Sequence, residues 1–312
     1  MYDIIIVGGG TAGLSAAIYG VRSGKSVLIL EKAAYGGQII NSPEVENYPG
    51  IKKISGVEFA RGLYDQAISL GAEFENGQVI RVEDSDDYKR VYVAGNGEQE
   101  RCYEARSVIL ATGVKNRPLG VDREQELIGA GVSYCATCDG MFFRGREVAV
   151  VGGGNTALED AIFLSNYCSK VYVIHRRDKF RGEDSQLQIL KQKNNVEFIL
   201  NSVVVGLKAQ GVLEAVELQD TVTGEKTELP VSGLFVAIGK ISDNDNFDNL
   251  VKLDETGYIH AAEDCKTDVA GIFAAGDCRT KNVRQLATAA ADGAVAALAA
   301  CEYTDRIVNT QG

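Results

Sequence analysis

Two stretches of this chain repeat one pattern 144 positions apart, and that repeat restricts the possible folds more than any other feature. Tyr2 to Lys32 reads YDIIIVGGGTAGLSAAIYGVRSGKSVLILEK, and Glu147 to Arg177 reads EVAVVGGGNTALEDAIFLSNYCSKVYVIHRR. Gly8, Gly10 and Gly13 of the first copy correspond to Gly152, Gly154 and Ala157 of the second, and Glu31 falls over His175. Each copy opens on a continuous apolar run, Ile4-Ile5-Ile6-Val7 or Val148-Ala149-Val150-Val151, as a strand buried on both faces requires. A glycine-rich turn follows, then an Ala-rich helical stretch, then a second apolar run (Val27 to Leu30; Val171 to Ile174). Each copy is therefore a βαβ unit.

A single G-x-G-x-x-G is a weak signal, but here both copies supply the strand before it, the helix after it and a charged residue about 20 positions on. Glycines without Cβ let the backbone approach a pyrophosphate, and the helix N-terminus offers unpaired N–H groups and a positive dipole end. Two dinucleotide sites are expected. The residue closing the second strand should face the adenosine ribose. In the first copy it is Glu31, whose carboxylate accepts from ribose hydroxyls and repels a 2′-phosphate, so this site fits FAD or NAD. In the second it is His175, followed by Arg176, Arg177 and Arg181, whose guanidiniums suit a phosphate dianion, so this site fits NADP(H). The alternative for HRRDKFR is a solvated charged run laced with Asp178 and Asp184.

The 312 residues suggest two domains at ~150 residues each. A formal net charge of -11 disfavours nucleic-acid partners. Met1-Tyr2-Asp3 has no basic leader, and the stretch Ala287 to Ala300, broken by Asp292 and Gly293, is too short to span a bilayer. A soluble, cytoplasmic protein is expected.

Of seven cysteines, only Cys135 and Cys138 form a close pair, in Cys135-Ala136-Thr137-Cys138. Two thiols at this spacing can close a small disulfide ring, and one can act as a thiolate of lowered pKa. Asp139 follows as a candidate proton donor or acceptor, and Gly140 permits a sharp turn. A structural zinc site would need a second Cys/His pair. Cys102, Cys168, Cys265, Cys278 and Cys301 are scattered, and His175 and His260 are the only histidines, so a redox disulfide is the better reading.

With GGGTAG, YGGQI (Tyr35 to Ile39), EVENYPG (Glu44 to Gly50), ATG (Ala111 to Gly113), YCATCDG (Tyr134 to Gly140), GGGNTALEDA (Gly152 to Ala161), HRRDKFR, FVAIG (Phe235 to Gly239) and FAAGD followed by RQLATAAADG (Phe273 to Gly293), the chain resembles the low-molecular-weight, bacterial-type NADPH-dependent thioredoxin reductases. The match runs in order over essentially the whole chain. The resemblance implies an α/β fold of two Rossmann-like dinucleotide-binding domains in three layers (ββα). The FAD domain would be discontinuous, residues 1–114 plus 243–312, and the NADPH domain, residues 115–242, would carry the CxxC. Gly37, Gln38, Asn47, Thr112, Gly113, Gly276 and Asp277 would serve FAD, with Arg284 and Gln285 by the flavin ring. A helix starting near Leu286 would aim its positive end at that ring, with Cys278 beside the site.

In the other domain Asn155, Thr156, Glu159, Ile238 and Gly239 would join Gly152, Gly154 and the basic cluster around NADPH. The resemblance also assigns flavin exchange to Cys138, attack on the partner's disulfide to Cys135 and the accompanying proton to Asp139. It implies a homodimer and a rotating NADPH domain. Thr11, Ala130, Met141 and the segment Lys240 to Asn244 depart from the common pattern, and Ala130 and Met141 fall where the family docks thioredoxin. Related flavin disulfide reductases instead use ferredoxin as donor, or a glutaredoxin-like protein or peroxiredoxin as acceptor. The basic cluster argues against the ferredoxin version.

Overall fold

Strand β1 (Tyr2–Val7) has no side suited to water: Ile4, Ile5 and Ile6 are fully buried. In the computed structural model, which describes residues 1–85, 88–95 and 100–311, this strand begins a run of alternating elements. Helix α1 (Thr11–Arg22), β2 (Val27–Glu31), α2 (Gly56–Ser69) and β3 (Glu73–Asn76) follow. Then come β4 (Val79–Asp84), β5 (Lys89–Val93), β6 (Arg101–Leu110) and β7 (Val114–Asn116). β1 pairs in parallel with β2 and β6, and β2 with β3, while β5 runs antiparallel to both β6 and β4. The pleat sends Ile4 and Ile6 to one face, against Leu14 and Ala17 of α1, and Ile5 and Val7 to the other, against Val91 and Val93 of β5. α2 starts where it does because Ser55 and Glu58 form a capping box, each side chain accepting from the other's backbone N–H.

The chain forms two compact units, Met1–Lys115 with Ile241–Gly312, and Asn116–Lys240. The second unit contains β8 (Val132–Ser133), the short helix α3 (Ala136–Asp139), β9 (Glu147–Gly152), α4 (Asn155–Leu164), β10 (Lys170–Ile174), α5 (Asp184–Lys191) and β11 (Val196–Ile199). β12 (Ser202–Ala209), β13 (Leu213–Asp220), β14 (Lys226–Pro230) and β15 (Gly233–Ala237) complete it. Its five-stranded sheet, ordered β11-β10-β9-β15-β8, is parallel throughout, and β12-β13-β14 form an antiparallel sheet. The repeat is thus real in three dimensions. Val148 and Val150 pack on Leu158 and Leu164 of α4, while Ala149 and Val151 pack on Val204 and Val216. Each unit is a three-layer α/β sandwich, as the sequence led one to expect.

The chain returns through β16 (Lys240–Ser242), which pairs with β7, and adds β17 (Ile272–Ala274) in parallel to the C-terminal half of β6. The final helix α6 (Leu286–Gln311) lies along α1, and at Gly293 a Cβ would overlap the Ala12 carbonyl. Among the described residues no helix is long and apolar enough to cross a membrane.

One polar cluster ties these C-terminal elements together. Asp292 of α6 accepts from the Gly276 N–H (3.0 Å), from Nε and Nη2 of Arg279 (each 2.8 Å) and from Lys281 Nζ (2.9 Å). Arg279 is 1% exposed; its Nη1 donates to the carbonyls of Ala261 and Thr280, and its Nη2 also lies 3.6 Å from Glu263 Oε1. Burial alone would raise the Asp292 carboxyl, but Arg279 and Lys281 hold it below its ordinary value. Its stabilising contribution is therefore present at neutral pH and lost as acid protonates it. Asp292→Ala leaves two buried cations without their carboxylate, and a loss of about 3–5 kcal/mol is expected in denaturant or thermal unfolding.

Candidate active site

The first glycine turn is shaped by what cannot fit. Gly8 has φ +110°, and a Cβ there would overlap the Ala111 carbonyl; a Cβ at Gly13 would overlap the Gly8 carbonyl. Gly10, by contrast, is open, with nothing nearer to an added Cβ than Gly36 O at 3.9 Å. It is also the N-cap of α1 and makes no side-chain cap, so the first N–H groups of that helix face the open side of the turn. Glu31 ends β2 with one carboxylate oxygen accepting from Gly9 N–H (2.7 Å) and the other from Ala33 N–H (2.9 Å). A carboxylate has about four acceptor positions, so two stay available for hydroxyl donors. A cleft runs from here, lined by Gly8, Leu30, Glu31, Thr112, Asp243 and Phe247. Two carboxylates lie in its wall, Glu31 and Asp243, and the second is paired with Lys32 and Lys115.

Other expected residues of this unit converge on the same turn. Gly36 donates its N–H to Gly9 O (2.8 Å), which places Gly37 and the 3₁₀ turn Gly37–Asn41, with Gln38, beside Gly10. Asn47 Nδ2 donates to Gln285 Oε1 (3.3 Å). Gly276, at φ +80°, sits so close to Ala12 that an added Cβ would crowd it, which brings Asp277 to the start of α1. Arg284 lies 4.1 Å over the Tyr258 ring and donates to the carbonyls of Asp277 and Arg279. Thr112 lines the cleft, but its hydroxyl donates to Asn244 Oδ1 (2.7 Å), and Gly113 turns away at φ +68°. Asn244 is fully buried, with its amide on the carbonyls of Gly257 and Cys278. Cys278, expected beside the flavin, is buried with its thiol donating to Leu110 O and Ala275 O, and burial pushes that thiol up.

The second turn repeats the logic with different atoms. A Cβ at Gly152 would overlap Ala237 O and crowd Ala157, whereas Gly154, the uncapped N-cap of α4, has open space. His175 does not point at this opening. Its ring is 6% exposed, stacks on Phe180 (4.9 Å) and fills the space over Gly153. Nε2–H donates to the Lys179 carbonyl (3.0 Å). Burial, aided by the nearby guanidiniums, keeps the imidazole below its ordinary pKa and so neutral. The His175 side chain thus packs beneath the loop and shapes it. The loop hangs from Gly153 O, which accepts from the N–H groups of Arg181 (2.7 Å) and Gly182 (3.1 Å). Arg176, Arg177 and Arg181 are exposed, and among the described residues no carboxylate pairs with them. Asn155 Oδ1 accepts from Glu183 N–H, and Glu159 Oε1 from Gln186 Nε2. Thr156 is exposed in the first turn of α4; Ile238 is half-buried against the β12–β14 side, and Gly239 leaves β15 at φ +113° with open space around it.

In the same unit Cys135 and Cys138 form a disulfide, with Cα atoms 5.3 Å apart. Cys135 is the N-cap of α3, and its carbonyl accepts from the N–H groups of Cys138 and Asp139 (3.2 and 3.1 Å), which winds both sulfurs onto one short turn. Asp139 Oδ1 is buried with no hydrogen-bond partner, and burial raises the carboxyl. An acid whose affinity for its proton is raised beside a disulfide can supply the proton that thiol formation consumes.

Two dinucleotide cradles and a vicinal disulfide on one chain define an oxidoreductase that couples nucleotide to thiol redox chemistry. Comparison with known proteins agrees. The profile of the pyridine nucleotide-disulphide oxidoreductase family matches residues 2–294. The chain is 42% identical over 311 residues to the thioredoxin reductase of Bacillus subtilis, covering 99% of this chain and 97% of that one. It is 43% identical to that of Helicobacter pylori, covering 98% and 99%. The crystal structure of thioredoxin reductase from Streptococcus pyogenes superposes with a TM-score of 0.92 at 39% identity, covering 98% and 99%. The chain belongs to the pyridine nucleotide-disulphide oxidoreductases, among the thioredoxin reductases.

The glycine that carries the basic loop offers a direct check. Gly153→Ala drives a Cβ into the His175 ring and displaces the loop. A roughly tenfold rise in the Kd for NADPH is expected by calorimetric titration, with FAD content unchanged.

Proposed function

We propose that the protein is an NADPH-dependent thioredoxin-disulfide reductase that passes electrons from NADPH, through FAD and the Cys135–Cys138 pair, to oxidised thioredoxin. The observation that carries this reading is the disulfide wound on one turn with a buried carboxyl beside it whose pKa burial raises, in the same unit as a glycine cradle flanked by three exposed guanidiniums. The discontinuous unit takes FAD: Gly8, Gly10 and Gly13 let its backbone approach the pyrophosphate, and Glu31 holds the ribose. The inserted unit takes NADPH: Gly152 and Gly154 form the cradle, and Arg176, Arg177 and Arg181 take the 2′-phosphate. FAD, when bound, supplies two-electron transfer between the nicotinamide and the disulfide.

The chain's own residues do the rest. Once the disulfide is opened, the Cys135 thiolate attacks one sulfur of the partner's disulfide and expels the other as thiolate. Cys138 then attacks Cys135 Sγ in the mixed disulfide, which restores the Cys135–Cys138 bond and frees the partner as a dithiol. Asp139 takes up and returns the proton that moves with each change of the Cys138 sulfur. Asp277, Arg284 and Gln285, gathered at the start of α1 and α6, hold the flavin end of the cofactor. A homodimer in the cytoplasm is part of the same proposal.

Arg176→Ala with Arg177→Ala removes two charge-assisted phosphate contacts, so the Kd for NADPH should rise roughly a hundredfold while that for NADH barely changes. Equal losses for the two nucleotides would contradict the assignment of the basic loop. Cys135→Ser should still let NADPH bleach the flavin absorbance anaerobically, yet give no reduction of thioredoxin. Normal turnover by that variant would refute the thiol roles.

A further inference from the structure

Ser133 ends β8, two residues before the disulfide, and is 3% exposed. Three polar atoms surround its Oγ: Asp139 Oδ2 at 2.5 Å, the Cys135 N–H at 3.1 Å and the Cys135 carbonyl at 3.3 Å. A hydroxyl has one proton to give and two lone pairs to receive with. It therefore cannot donate to Asp139 and to the Cys135 carbonyl at once. While Asp139 is ionised, the hydroxyl proton goes to its carboxylate. When Asp139 is protonated on Oδ2, that O–H donates to Ser133 Oγ, and the hydroxyl proton turns to the Cys135 carbonyl. The Cys135 N–H donates to Oγ in both arrangements. The carbonyl reached in the second arrangement is the one on which the turn carrying both sulfurs is wound.

We propose that Ser133 is a positioning residue of the redox site, its hydroxyl rotating between the Asp139 carboxyl and the Cys135 carbonyl and so coupling the proton on Asp139 to the hydrogen bonding of the Cys135–Cys138 turn. The proposal rests on the reading of Asp139 as the proton donor and acceptor of the dithiol. Opening the disulfide takes two electrons, which the NADPH-driven activity supplies, and one proton if one sulfur becomes a thiol and the other a thiolate. Asp139 gives up that proton and becomes the carboxylate that Ser133 then holds.

The surroundings leave Ser133 in sole charge of that carboxylate. Burial raises the Asp139 carboxyl and the Ser133 hydrogen bond lowers it, and among the described residues no ion pair reaches it. β8 carries no charge. Next to it in sequence, the Tyr134 phenol is committed to Glu124 Oε1 (2.6 Å). From α4, Asp160 feels Glu159 and Lys240, and its influences do not include Asp139. The neighbours of Gly140 are the apolar side chains of Leu164 and Phe163.

The test is the pH profile of thioredoxin reduction by the FAD-loaded enzyme, together with the pH dependence of cysteine alkylation in its reduced form. It is run for the wild type, Ser133→Ala, Ser133→Thr and Asp139→Asn, each checked for full FAD content. Ser133→Ala removes the donor that favours the carboxylate, so the limb belonging to Asp139 should move to higher pH by about one unit. Ser133→Thr, which keeps the hydroxyl, should return it, and Asp139→Asn should abolish it. If Asp139→Asn abolishes the limb but Ser133→Ala leaves it in place, the proposal fails and the role of Asp139 stands. If the limb survives in Asp139→Asn, both fail. A fall in rate that is the same at every pH in Ser133→Ala, and uncorrected by Ser133→Thr, also overturns the proposal, because lost packing alone produces that pattern.

Discussion

Everything functional in this molecule depends on how closely a strand end and a helix start can approach one another. In the first unit the Gly8 carbonyl occupies the space that a side chain on residue 13 would need. That contact sets the angle at which α1 leaves β1, and hence the direction of its first N–H groups. The second unit reaches a similar geometry with Ala157 in place of Gly13, and there the Ala157 methyl is among the atoms that exclude a side chain from Gly152. Strand burial on both faces makes the arrangement rigid, since neither β1 nor β9 can shift without exposing aliphatic side chains on one side.

The repeat made the two nucleotide-binding turns legible because their determinants are local: a run of apolar residues, glycines at fixed spacing and a charged residue at the next strand end. The disulfide was legible for the same reason. Contacts between residues far apart in sequence left no such trace. Asn244 answers Thr112 across the unit, and Asp292 gathers Gly276, Arg279 and Lys281 from an earlier turn. No spacing rule announces either. His175 was read from its alignment with Glu31, yet its ring lies under the loop. An imidazole can fill the space over Gly153 and donate to a carbonyl, which a carboxylate cannot do. Cys278, placed beside the cofactor site by its position in the chain, has its thiol buried against the carbonyls of Leu110 and Ala275, contacts that no spacing shows.

The two sites also show how differently charge is handled in one fold. The cluster at Asp292 is buried and saturated with donors, so its charges are locked in place and serve architecture. Arg176, Arg177 and Arg181 are held out from the surface on a loop anchored by backbone hydrogen bonds, with their charge uncompensated. Asp139 stands between these extremes: buried, with a single hydroxyl donor, and hence able to change its state of protonation.

The division of β6 between two neighbours bears on how the chain acquires its structure. Its first half pairs with β5, which precedes it, but its second half pairs with β17, which follows only after the whole of the second unit. The second unit is continuous in sequence. The N-terminal segment must wait, with one flank of its central sheet open, until the last elements are made. During synthesis the whole chain of the second unit is therefore made before the strand that completes the first unit's central sheet exists.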